Sequence, residues 1–529
     1  MAKQQTYQKY IYKIHSRKIL KNKKKLTLSL QEMRKNKELI SLADSQVLRF
    51  IDEINGIDNK TIEGNIANIR REIKDCQRKI KTADGTAVRE IKAQIKQKYS
   101  ELDNLQNKPD YLAVIMDRPD DIDKLEGGFV INGLTYRRLV GTPNGVKKST
   151  VVYVSEVSAQ GKHIYEELCK RLDNGRNPEM KLVPAKFEAY KALACSASTP
   201  VSDPKGILVV DDLVLCFNAN ILEISDENAD EEHGIDPTME NKVAEVELDN
   251  SDGYGMILPS LAETWSADLK LDYTLGGCCI RNAFLKGMMF PFDFREFAQT
   301  IAHKETVVDV WGCERNINDV EMVLTASMLK LWDSYSSLED YLANCKNNGY
   351  TFAATKVCPK SLDEERTLNY QFIQSYDLSN EQIEELITPT VEEIKDIIGG
   401  DINKVILFLR GLSVTEENVD LADDDCVKAL MIDDRMFQDP YVISRINNMI
   451  RRKIRDAKIG VIKVKGNYAV ISGDPYALCQ HIFKTNVDND GNDIEPEMGL
   501  LKAGEIYSRF WVDKGEKQVV CFRAPMSCH

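Results

Sequence analysis

Ile62, Ile66, Ile69, Ile73, Cys76 and Ile80 recur at alternating steps of four and three, so an apolar seam runs along a helix there. Asp84-Gly85 interrupts the seam. Val88, Ile91, Ile95, Leu102 and Leu105 then resume the spacing, with Lys98 at one seam position. Two short seams about a turn predict an antiparallel helical hairpin, ended by Pro109. From Gly127 the period changes: GGFVINGLTYRRLVGTPNGVKKSTVVYVSE alternates apolar and polar residues and predicts strands joined by Gly, Pro and Asn turns. Residues 160–195 carry a helical pattern. ILVVDDLVLCF, Ile207 to Phe217, predicts two short buried strands about Asp211-Asp212. Residues 252–312 mix strands and turns, and 315–455 read as mostly helical, with a helix start at Thr388-Pro389 ahead of Glu392 and Glu393. From Lys458 strand texture returns, in KIGVIKVKGNYAVISGDP and GEIYSRFWVDKGEKQVVCFRAP.

Charge is distributed unevenly. The formal net charge of the 529 residues is −13, yet Met1 to Leu30 holds nine Lys/Arg and no acid. Tyr7, Tyr10, Ile11 and Tyr12 interleave with these lysines, which predicts a solvated basic arm or helix able to lie on phosphates. From Glu223 to Asp252 there are twelve acids and only Lys242 as a cation, which predicts an exposed loop. With 43% hydrophobic and 29% charged residues the composition is that of a soluble globular chain, and 529 residues predict two to four structural units. No run of about 18 apolar residues predicts a membrane span. Thirteen scattered cysteines without a CxxC pair predict reduced thiols and a cytoplasmic location, with Cys278-Cys279 as core packing. There is no P-loop, no Rossmann glycine turn, no HExxH and no GxSxG.

Three segments carry candidate chemistry: DGYGMILPSLAETW (Asp252–Trp265), IRNAFLKGMMFPFDF (Ile280–Phe294) and LLKAGEIYSRFWVDKGEKQVVCFRAP (Leu500–Pro525). In this order the chain resembles the RNA-silencing RNA-dependent RNA polymerases and their single-chain relatives in phages and mobile elements. These share two double-psi β-barrels with the large subunits of cellular RNA polymerase. Asp252, Gly253, Gly255, Ile257, Pro259, Leu261 and Ala262 match the family's DG-G-I-P-LA segment, and Ile280, Arg281, Lys286, Gly287 and Met288 match its IR-x-GG-x-KGM segment. Asn282-Ala283-Phe284-Leu285 stands where the family has a glycine-rich spacer. VISGDP (Val470–Pro475), LLKAGEIY and RAPMSCH (Arg523–His529) are similar to later family segments, but His529 follows Pro525 one residue later than in the largest cellular subunit, so no role is carried to it. The resemblance covers about residues 125–529 and leaves the first 120 unmatched.

The patterning and the resemblance together imply an α+β fold. It comprises a basic arm and helical coiled-coil hairpin (1–110), a β-rich region (125–222), the acidic loop (223–251), first-barrel motifs (252–312), a helical connector (313–457) and the start of a second barrel (458–529). The resemblance implies template-directed RNA synthesis from nucleoside triphosphates, on an RNA or DNA template, with Mg²⁺. Lys286 and Arg281 are the candidate catalytic cations, since fixed positive charge offsets the charge that builds on the phosphates. Arg523 is the candidate for the incoming nucleotide's ribose or the template. The family's D-x-D-G-D metal loop is expected beyond His529, so the chain alone is expected to be inactive, with the aspartates supplied downstream or by a second chain. Asp488, Asp490 and Asp493 imitate such a loop, but their Asn/Asp/Gly density reads as a turn between strands. The alternatives are a non-catalytic nucleic-acid-binding scaffold and one half of a split polymerase.

Overall fold

The computed structural model describes residues 9–42, 44–80, 84–141, 150–158, 160–225, 234, 238–400, 402–410, 425–485, 499–502 and 505–522. The chain divides into two compact units, Met1–Lys360 with Ser472–Lys502, and Ser361–Ile471 with Ala503–His529.

The first unit holds two seven-stranded sheets. One is built from β1 (Lys9–His15), β2 (Lys25–Leu26), β3 (Leu39–Leu42), β4 (Asn107–Ile115), β5 (Phe129–Ile131), β6 (Leu134–Gly141) and β7 (Thr150–Ser155), in the order β2-β5-β6-β7-β4-β1-β3. Its strands are buried on both faces. Ile11, Tyr111, Ala113, Val152 and Val154 pack into one core, while Tyr12, Ile14, Leu112, Val114, Val151 and Tyr153 pack into another. That is why TVVYVS is a nearly continuous apolar run.

The basic arm expected at the N-terminus is therefore corrected. Its residues from Lys9 form β1, parallel to β4 and antiparallel to β3. Lys9 lies buried, 2.5 Å from Asp44 and 3.0 Å from Asp52, and Lys108 also pairs with Asp52. Charge alone suggested solvent, but buried carboxylates compensate these ammonium groups. The two predicted helices are Asn59–Ile80 and Gly85–Gln106. Asp84 caps the second, and Ile66 packs with Leu102 between them. They are inserted between β3 and β4 of the sheet, so the described residues from Lys9 to Asp110 are not a separate arm and hairpin.

The second sheet contains β8 (Thr199–Pro200), β9 (Ile207–Val210), β12 (Tyr254–Ile257), β13 (Cys278–Asn282), β14 (Leu285–Pro291), β17 (Met322–Thr325) and β18 (Ala353–Thr355), in the order β8-β18-β13-β14-β12-β17-β9. Between β9 and β12 the chain forms an antiparallel ribbon, β10 (Val214–Ser225) with β11 (Thr238–Asp249). This corrects the acidic loop expected over 223–251. AEVELD, Ala244 to Asp249, alternates apolar and acidic residues, and a strand open to water can carry its acids at that period. β15 (Thr306–Val308) and β16 (Glu314–Asn316) make a small hairpin. The helix Pro475–Phe483 packs Ala477, Leu478, Cys479 and Phe483 beneath Tyr254, Met256 and Val323. Residues 472–502, expected in a second barrel, thus belong to the first unit.

In the second unit Ile397, Val405, Leu430, Val442, Ile446 and Ile450 form the core of a helical cluster. A capping box at Ser379 and Gln382 starts the helix Asn380–Ile398, leaving Pro389 inside it, so the start expected at Thr388-Pro389 lies nine residues late (388 against 379). The strand texture after Lys458 is realised, among the described residues, only as β20 (Lys463–Lys465) against β19 (Glu365–Thr367). The reading of 315–455 as mostly helical missed β17, β18 and β19, each of three or four residues and too short for a period to register. No described helix is long and apolar enough to cross a membrane.

Candidate active site

The Asp252-Gly253 and Lys286-Gly287 segments meet where β12 and β14 run parallel, Tyr254 opposite Met288. Gly253 has φ +66°, a conformation that costs glycine little. Its carbonyl accepts the Met288 N–H at 2.8 Å. Gly287 is packed so closely that a Cβ there would lie 2.7 Å from the Gly253 oxygen and would also overlap Met328. Glycine at 287 lets β14 lie against the Gly253 backbone, while glycine at 253 is required by its positive φ.

β13 and β14 form a hairpin in which Arg281 faces Lys286. Its turn residue Phe284 takes φ +56°, strained for a side chain with a Cβ. Burial of the Phe284 ring in the core and a hydrogen bond from Tyr341 Oη to the Ala283 carbonyl, 2.8 Å, hold the turn. A packed aromatic thus stands where the family spacer has glycine. The segment Thr325–Lys330 closes over this hairpin: the Lys286 N–H donates to Met328 O and the Lys330 N–H to Phe284 O, both at 3.0 Å.

The two predicted cations behave differently. Lys286 is exposed, and among the described residues no hydrogen bond or ion pair engages its ammonium. Arg281 is buried; its guanidinium donates to Cys279 Sγ at 2.9 Å and Ile280 O at 2.7 Å, and its Nε has no partner. Arg281 is turned back on its own strand instead of projecting toward a phosphate. Cys278 and Cys279 are buried, and burial pushes the Cys278 thiol up to about 12, consistent with packing. Arg523, Asp488, Asp490 and Asp493 lie outside the described residues.

Sequence reasoning missed the acidic side of this crossing. Asp212 accepts from the Ser327 N–H at 2.7 Å, Ser327 Oγ at 2.5 Å and Ser251 Oγ at 3.2 Å, and Ser327 Oγ in turn accepts the Gly253 N–H at 2.8 Å. Asp212 therefore fixes the turn that enters β12. Burial raises the Asp249 carboxyl, and neighbouring Asp212 and Asp252 raise it further, while Lys330 opposes them. The signal available in sequence was the Asp pair between two apolar runs. Among the described residues no group of three His, Cys, Asp or Glu is placed to hold a metal ion, and Asp212, Asp249 and Asp252 do not form one.

Over 336 residues, 62% of its length, the chain is 28% identical to the DNA-directed RNA polymerase YonO of Bacillus phage SPbeta. The match takes in 35% of the phage protein, so the chain spans about a third of that relative's length. This similarity supports the resemblance to single-chain RNA polymerases drawn from the motifs. Among solved structures, the RNA dependent RNA polymerase QDE-1 from Thielavia terrestris aligns with a TM-score of 0.40 at 13% identity, over 66% of this chain and 37% of that one. No protein-family model matches the chain.

Proposed function

We propose that this chain supplies the lysine-bearing part of a two-barrel RNA polymerase that extends RNA on a nucleic-acid template from nucleoside triphosphates. The observation that carries this reading is the exposed ammonium of Lys286, unengaged among the described residues, beside the Gly253–Gly287 crossing in a chain similar to a phage RNA polymerase. In nucleotidyl transfer the 3′-hydroxyl oxygen bonds to the α-phosphorus, the bond to the bridging oxygen breaks, and pyrophosphate leaves with the electron pair. Negative charge grows on the phosphate oxygens during that step. A preorganised cation offsets it, provided the cation is not already neutralised by a carboxylate.

Arg281 has a positioning role in this reading. Held on Cys279 Sγ and Ile280 O of its own strand, it fixes the part of β13 that pairs with Lys286. Mg²⁺ is part of the proposal, with its carboxylate ligands supplied by the D-x-D-G-D loop expected beyond His529 or by a second chain, and it would activate the hydroxyl and neutralise the leaving group. The RNA or DNA template and the triphosphates are the proposed partners.

The test is affinity labelling with a ribose-dialdehyde nucleoside triphosphate, trapped by borohydride, followed by peptide mapping. Lys286 should carry the dominant label, and excess nucleoside triphosphate should suppress it. Equal labelling of scattered lysines, indifferent to competitor, would refute a nucleotide site there.

A further inference from the structure

The paired helices Asn59–Ile80 and Gly85–Gln106 present two unlike broad faces. Successive residues step by about 100° around a helix, so Arg70 and Lys74 fall on one side of the seam of Ile66, Ile69 and Ile73, and Asn65, Asn68 and Glu72 on the other. In the second helix Lys92, Lys96 and Tyr99 fall on one side of the seam, and Glu101 and Asn104 on the other. A shallow groove between the helices is lined by Asn65, Asn68 and Glu72 together with Glu101 and Asn104, so these five share one broad face. Arg70, Lys74, Lys92 and Lys96 are thereby gathered on the reverse face, with Arg89 at its distal end. The basic stretch runs about 15 Å, from the level of Tyr99 to Arg89, at 1.5 Å per residue. Lys74, Arg89, Lys92 and Lys96 are exposed and Arg70 is half-buried. Among the described residues no hydrogen bond or ion pair engages any of the five side chains. The nearby carboxylates are engaged elsewhere: Glu72 pairs with Lys98, Asp75 with Arg78, and Asp103 with Arg34 at 2.6 and 2.7 Å. The acids of the reverse face, Glu63 and Asp103, lie at its base, where the hairpin joins the sheet.

We propose that this face is a second nucleic-acid contact of the chain, one that lies along the sugar-phosphate backbone of a duplex. That the duplex is a template paired with its product rests on the polymerase reading; the charge and shape of the surface do not. Two packed helices hold the two rows of cations about 8–10 Å apart on a stiff plate. In a protein of net charge −13, a face whose distal half carries cations and no acid attracts a polyanion. A single strand is held largely by stacking its bases on aromatic rings, and Tyr99, 45% exposed, is the one aromatic residue of either helix. A duplex hides its bases and offers phosphates, which these ammonium and guanidinium groups can meet. A lipid surface needs bulky apolar residues beside the cations, and here Ala67 and Gln77 stand beside them. Backbone contacts carry no sequence preference. They make affinity fall with salt, by a slope of about 0.9 per phosphate contact on duplex DNA.

The test measures binding of a fluorescein-labelled DNA duplex to the full chain by anisotropy over a potassium chloride series. In R70Q/K74Q/K92Q/K96Q the slope of log K against log salt should fall by about 3 to 4, from four contacts at about 0.9 each. The charge-keeping variant R70K/K74R/K92R/K96R should retain the parental slope. All four positions lie off the apolar seam, and circular dichroism melting checks that each variant folds. A glutamine variant that folds and keeps the parental slope overturns the proposal, and so does a parental chain that shows no salt-dependent binding. A glutamine variant that loses binding to phosphatidylserine vesicles while its duplex slope stays parental also overturns it, since the face would then serve a lipid surface. Lys286 labelling that persists while the slope is unchanged would sink this surface and leave the polymerase reading standing. A lowered slope in a chain without nucleotide labelling would do the reverse.

Discussion

Gly287→Ala is the substitution that most directly probes how the site is built. A Cβ at Gly287 would sit 2.7 Å from the backbone oxygen of Gly253 and 2.7 Å from Met328 Cγ. The methionine can rotate, but the carbonyl cannot, because it accepts the Met288 N–H that ties β14 to the turn before β12. Relief therefore requires the strands to part. Overpacking of this kind costs about 1–3 kcal/mol, and loss of the Met288 hydrogen bond adds about 0.5–1.5 kcal/mol. The expected destabilisation of the first unit is about 2–4 kcal/mol on those two principles. Urea unfolding followed by fluorescence reads this well, since Trp265 is buried in the core that holds β13 and β14, and Trp311 and Trp332 pack against that core. Gly276→Ala is the control, because nothing lies within 4 Å of a Cβ there. If Gly287→Ala and Gly276→Ala unfold at the same urea concentration, the backbone contact between the two strands does not exist as described.

Two further outcomes follow from the fold. A chain lacking residues 61–101, with the cut closed by a flexible Gly/Ser linker, should keep a cooperative melt of the first unit. A chain beginning at Lys108 should aggregate, because it removes β1 and β3 and uncovers β4; a soluble, cooperative melt of that shorter chain would contradict the sheet order. Glu339 pairs with Arg315, and this pairing holds its carboxyl down at about 2, below the usual range near 4.5. A carboxyl lowered on folding adds stability that is fully present above about pH 4.5 and is lost as pH falls toward 2. Glu339 is 63% exposed, so screening limits the contribution to about 1 kcal/mol at most. Glu339→Gln should flatten the acid limb of stability measured between pH 5 and pH 2 and leave it unchanged at pH 7; an unaltered acid limb would show the pair contributes nothing.

How far the sequence reveals this arrangement depends on the range of the interactions involved. The helical pair Asn59–Ile80 and Gly85–Gln106 is legible because its seam is local and long. The motif segments around Gly253 and Gly287 are legible as a pair, but their contact is not, since it comes from a parallel pairing of strands more than thirty residues apart (253 and 287). β1 is hidden by its lysines, and the partners of Lys9, Asp44 and Asp52, lie far along the chain. The ribbon of β10 and β11 is hidden by the density of its acids, which reads as a solvated loop although Ala244–Asp249 keeps a period of two. Arg281 shows the limit for side chains. Its position opposite Lys286 follows from the register, whereas its turn toward Cys279 is a matter of packing that no spacing encodes.

The central claim is that the Lys286 ammonium stabilises charge in nucleotidyl transfer. The direct measurement is single-nucleotide incorporation by a complete polymerase containing this chain, together with the residues that hold its metal, comparing Lys286→Ala with the parent. Loss of one preorganised cation should lower kcat on the order of 10²–10³, equivalent to about 2.7–4 kcal/mol. The nucleotide KM should move far less, and the urea midpoint should stay in place because Lys286 is exposed. Lys205→Ala, whose side chain is 87% exposed away from the motifs, should be near neutral in the same assay. Full incorporation by a folded Lys286→Ala enzyme would contradict the account.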